Sequence, residues 1–256
     1  MELILDITMS ALLGAAHLVL LWKLFRVDAA REYRFFAVLQ AWLVACSVVM
    51  WGLIYFAGNR TLYAKTWFTI EIFTSVLILC ALLETFNLVL SEFRGFQRLG
   101  QRLIRVSLII SAVMIALLWV PFSGLENRWA FSSFEGRTVY LSLTLTATGF
   151  GLFAAYFRVR VSRNTMCVFA VLLGLLVSKG AAFASRLYFP KEASDILLYS
   201  ASCWELLWIV VAVASMSVQG RIVPRPSLAV AASGAEVAAA ERLEVMNGAL
   251  GRILRQ

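Results

Sequence analysis

The chain has 256 residues, of which 61% are hydrophobic and 15% charged, against about 45–50% and about 25% in an ordinary soluble domain. That balance excludes a soluble globular enzyme, a disordered chain and a nucleic-acid reader. The formal net charge of +8 would suggest a polyanion partner in a soluble protein; here the placement of the basic residues gives it another meaning.

Seven segments are apolar enough for membrane-crossing helices, which need about 20 such residues: 3–24, 35–57, 66–90, 106–122, 138–157, 166–188 and 196–218. None alternates with the period of two that barrel strands require. The expected fold is all-α, a polytopic bundle of seven transmembrane helices over 1–218, with a short tail at 219–256. The chain opens on acidic Glu2 and Asp6, whereas a cleavable signal opens on basic residues, so the first span reads as retained. Its His17 is the one histidine, which excludes haem or zinc sites built from several histidines; it reads as a hydrogen-bonder between helices.

The third span carries Glu71 and Glu84. Thirteen residues at about 100° each point them to different faces. Glu71 and Thr74 belong to an upper polar face, whereas Glu84, Asn87 and Ser91 form a second polar stripe near the cytoplasmic end. Ser142, Thr144, Thr146 and Thr148 spread polarity over the fifth span, although such hydroxyls also bond back to their own helix. The sixth span holds Lys179 and a small-residue face of Gly174, Ser178 and Ala182, suited to close packing. The seventh holds Ser202 and Glu205.

Ionisable groups inside a membrane are costly and mark candidate sites. At about 1.5 Å per residue, Lys179 lies roughly 20 Å and Glu205 roughly 16 Å above the inner face. Their spans are antiparallel neighbours in sequence, so a Lys179–Glu205 ion pair is expected. Glu71, Thr74 and Ser202 would share the same ligand or ion cavity. A buried pair also fixes helix register without any ligand, and Glu84 can be met by Arg98, Arg102 or Arg105.

With the N-terminus outside, sixteen of the 23 basic residues fall on the inner side and six on the outer, with Lys179 between. The split obeys the positive-inside rule, so the positive charge reports topology. Beyond Pro224 and Pro226, Leu243, Met246, Leu250 and Ile253 follow helical spacing, which fits a short amphipathic helix on the membrane surface or against a partner.

Cys46, Cys80, Cys167 and Cys203 stand singly in four spans with no C-x-x-C, and they read as packing residues. No G-x-S-x-G or P-loop motif occurs. The seventh span lacks the Schiff-base lysine of retinal proteins.

The stretch Trp67-Phe-Thr-Ile-Glu71, then Leu83-Glu84-Thr-Phe86, Phe93-Arg94 and Leu99-Gly100-Gln-Arg102-Leu103 resembles a group of bacterial seven-helix inner-membrane proteins of uncharacterised activity. Those share a glutamate early in the third helix, another in an E-x-F-like step, and an L-G-x-x-L turn. The likeness extends to Trp208 in the seventh span and implies a multi-pass protein of the inner membrane, with no activity to carry over. The topology is also similar to the seven-helix sensory modules of bacterial signalling proteins. The expected function is a sensor, receptor-like or accessory membrane module with a polar cavity. The alternative is a small ion- or proton-coupled transporter, against which stands the lack of an internal repeat. An enzyme is least favoured, because no nucleophile–base pair is evident. No cofactor, metal or nucleic-acid partner is expected. The lipid bilayer is the expected partner, with any protein partner meeting the cytoplasmic loops or tail.

Overall fold

The structure, a computed structural model, describes residues 2–53, 60–89, 125–156, 161–188, 190–221 and 245. Among these every regular element is helical. The long helices are α1 (Glu2–Arg26), α2 (Arg34–Gly52), α3 (Arg60–Val89), α4 (Leu125–Tyr156), α5 (Arg163–Tyr188) and α6 (Lys191–Ser215). Among the described residues six helices are long and apolar enough to cross a membrane. The predicted span 106–122, Ser91, the arginines proposed to meet Glu84, and the amphipathic tail segment lie outside the described residues. α4 begins at Leu125, inside a stretch read from sequence as a loop. Apolarity marks where a helix can meet lipid, and a polar helical extension is invisible to that criterion.

Contacts between side chains fix the directions of the helices. Gly14 faces Ser47, Trp42 bonds Thr74, and Ser178 bonds Glu205, so α1/α2, α2/α3 and α5/α6 are antiparallel pairs. α3 and α4 instead run parallel: Glu71 meets Tyr140 near one end and Phe86 stacks on Phe150 further along both helices. α1 closes the bundle against α6, and α3 packs on α5. The end carrying the α1 N-terminus is called upper below.

The burial pattern is inverted relative to a soluble protein. Leu18, Phe25, Val48, Leu145 and Leu152 lie on the outside, while His17, Gln40, Glu71 and Glu205 are buried. Such an exterior is compatible with lipid, and polar side chains turned inward find each other there. The lower half is filled. Leu20, Leu24, Phe36, Leu39, Ile78, Leu82, Leu172 and Leu176 are each at most 2% exposed.

Three local devices hold the lower end. Asp28 takes a left-handed conformation, φ 55°, which ends α1 and turns the chain into α2; aspartate tolerates that region better than bulkier residues. α2 has no side-chain cap of its own. The Glu84 carboxylate supplies one from α3, accepting the backbone N–H groups of Arg34, Phe35 and Phe36 at 2.8, 3.0 and 3.3 Å. These are donors a helix start leaves unsatisfied, and the negative charge suits the helix dipole. Ser162 caps α5 through Thr165 N–H and joins Tyr33 and Thr165 in a buried hydroxyl cluster.

Candidate functional site

Above the filled half, α1, α2, α3, α5 and α6 enclose a partly open cavity of about 340 Å³. Its walls are apolar at Leu13, Leu43, Leu175 and Leu198, and its charged groups are Glu71, Lys179 and Glu205, joined by His17 and several hydroxyls. It reaches Ser10, Trp51 and Trp67 toward the upper end. Apolar walls with a few convergent polar groups are the usual make-up of a small-molecule site.

Two charged clusters face this space. In the first, Lys179 Nζ donates to both Glu71 oxygens at 3.0 Å, and Tyr140 Oη donates to Glu71 Oε1 at 2.7 Å. Ser75 Oγ donates in turn to Tyr140 Oη at 3.1 Å. Glu71 is thus held from α4 and α5 together. In the second, Glu205 Oε2 accepts from Ser178 Oγ at 2.9 Å, and Glu205 Oε1 lies 3.2 Å from His17 Nε2. The other ring nitrogen of His17 lies 2.7 Å from Gln40 Oε1. Gln40 is fully buried, and among the described residues its Nε2 has no partner.

The expected Lys179–Glu205 pair is therefore corrected: Lys179 pairs with Glu71, and Glu205 with His17 and Ser178. Matching depths on neighbouring helices placed these groups at one level, but depth leaves rotation about the axis open. Adjacent residues on a helix differ by about 100°. Ser178 points at α6, so Lys179 points at α3.

Thr74 and Ser202 line the cavity, but their hydroxyls are engaged. Thr74 donates to Ile70 O and accepts from Trp42 Nε1 at 3.0 Å, while Ser202 donates to Leu198 O. Of the second predicted cluster, Glu84 is the α2 cap and Asn87 lies on the same lower end of α3. Neither lines the cavity. Thr144 and Thr146 bond back to Tyr140 O and Ser142 O, so α4 contributes Tyr140 to the charged cluster and not its run of hydroxyls. Tyr140 and Gln40 were missed at the sequence level. Gln40 carried a readable signal, an amide within an apolar span. Tyr140 carried none, because a tyrosine near a span end reads as an interface anchor.

Of the small-residue face on α5, Gly174 and Ser178 meet α6. A methyl group on Gly174 would lie 2.8 Å from Trp208 Cδ1, so the glycine is what lets the indole pack against the α5 backbone. Among the described residues no three His, Cys, Asp or Glu side chains come together to hold a metal. Comparison with protein-family models, curated proteins and solved structures gives no match.

Proposed function

We propose that this chain is a sensor, receptor-like or accessory module of a bacterial-type inner membrane that binds a small polar ligand in the upper cavity. In this reading the bundle crosses seven times, with the N-terminus outside and 106–122 as the fourth crossing. The parallel run of α3 and α4 supports the count. The resemblance of the Trp67–Glu71 and Leu83–Phe86 stretches to bacterial inner-membrane proteins supports the location.

The observation that carries the functional reading is a polar cavity with one end. Above it lie Ser10, Trp51 and Trp67; below it the bundle is packed with side chains at most 2% exposed. A site of this form suits recognition and a change in bundle geometry. Transport with the same carboxylates as relays, the alternative, needs a second exit through those fully buried leucines.

The test is a thermal-shift screen of the protein in lipid nanodiscs against small amines, amino acids and carboxylates. A ligand should raise the Tm of the parent, and its effect should vanish in Glu71→Gln or Glu205→Gln. A screen in which no class stabilises the parent, or in which both variants respond as the parent does, removes the site. Flux of the same ligand in proteoliposomes, abolished by Glu205→Gln, would favour the transporter.

A further inference from the structure

Resting on that reading of the cavity, we infer that its ligand is a small organic ammonium ion, and that the ion replaces a proton held between His17 and Glu205. The argument starts from charge. Lys179 neutralises Glu71 through two 3.0 Å contacts. That leaves Glu205, buried and 3.2 Å from His17 Nε2, one positive charge short unless the imidazole is protonated. An uncompensated charge in such a place is expensive. With the cavity empty, an imidazolium resolves it: Nδ1–H donates to Gln40 Oε1 at 2.7 Å and Nε2–H to Glu205.

The same arrangement leaves Gln40 Nε2 buried without a partner among the described residues, a costly condition for an amide. A half-turn of that amide aims Nε2–H at Nδ1 and needs His17 neutral, its remaining proton on Nε2. The two arrangements differ by one proton, and each leaves one end of the Gln40 amide unmatched. An ammonium ion entering beside Glu205 supplies the positive charge itself. His17–H⁺ then gives its Nδ1 proton to solvent, the amide turns, and the net charge of the site is unchanged.

The walls define the class of ion. Trp51 and Trp67 stand toward the upper end, and indole faces attract organic cations. A hard divalent cation is held mainly by several carboxylate oxygens, and among the described residues no three His, Cys, Asp or Glu side chains come together to hold one. Among the described residues, the charged and titratable groups around His17 are Glu205 on α6, Lys179 on α5, Glu71 on α3 with Tyr140 of α4 behind it, and Cys46 on α2.

Titration calorimetry on the protein in nanodiscs tests this, with methylammonium, ethylammonium and tetramethylammonium chloride, and sodium propionate and sodium chloride as controls. Running each in two buffers of different ionisation enthalpy counts protons. At least one ammonium ion should bind with release of up to one proton, and more tightly as pH rises. His17→Gln should abolish the proton release that accompanies binding, while Glu205→Gln should weaken binding roughly thirtyfold or more. Binding of propionate in place of the ammonium ions would overturn the inference and leave a ligand cavity standing. Ammonium binding without proton release from the parent would overturn the exchange, and no variant is needed to see it. If no ion binds, the inference fails, and the broader screen decides separately whether the cavity binds anything.

Discussion

At the scale of single residues, the Glu71–Lys179 pair sets the first expectation. Removing one partner of a buried pair leaves the other charge stranded and costs about 3–5 kcal/mol, whereas removing both costs far less. Lys179→Met should therefore strongly lower the unfolding midpoint in nanodiscs. Adding Glu71→Gln should recover much of the loss, and adding Glu205→Gln should recover less. Equal rescue by the two glutamines would contradict the partner assignment. Tyr140→Phe removes one hydrogen bond to a carboxylate, worth about 1.5–3 kcal/mol, and should be the milder variant. The four intramembrane charges were legible in the sequence, because a charge in an apolar run is conspicuous. Their partners were not. Partnership turns on rotation about each helix axis, and on neutral groups such as Gln40, Ser178 and Tyr140 that look ordinary in a list of residues.

At the scale of elements, the Glu84 carboxylate separates a structural charge from the cavity. It sits at the α2 N-terminus, bonded to three backbone N–H groups. Losing a cap costs about 0.5–2 kcal/mol. Glu84→Ala should lower stability by that amount and leave ligand affinity untouched; a large drop in affinity would tie the lower end to the cavity. The α5–α6 contact offers a complementary test. Gly174→Ala drives a methyl group into Trp208, and overpacking of this kind costs about 1–3 kcal/mol. Trp208→Leu should relieve it in the double variant, as measured by unfolding midpoints. The apolar runs identified these helices by their middles. Their ends were set by other physics. A carboxylate from another helix starts α2, a serine hydroxyl starts α5, and α4 continues into polar sequence that has no hydrophobic signature.

At the scale of the whole molecule, the directions of the helices bear on membrane topology. Among the described helices α1, α3, α4 and α6 run downward, and α2 and α5 upward. Two successive described helices, α3 and α4, run the same way, and in the proposed topology a fourth crossing between them accounts for it. The proposed orientation follows from the lower end, which carries Lys23, Arg26, Arg31, Arg34, Arg163 and Arg221, because basic residues are retained on the cytoplasmic side. With the four native cysteines replaced, Arg31→Cys should react with a membrane-impermeant maleimide only after the cells are opened. Glu126→Cys and Glu192→Cys should react in intact cells, and a fluorescent fusion after Arg221 should glow in the cytoplasm. Glu126 is the deciding site. If the chain between Val89 and Leu125 does not cross, α4 starts on the inner side and Glu126→Cys is labelled only in opened cells. That result would be incompatible with the parallel contacts of Glu71 with Tyr140 and Phe86 with Phe150. It would also remove Tyr140 from the Glu71 cluster, so the labelling pattern tests the arrangement of the cavity as well as its orientation.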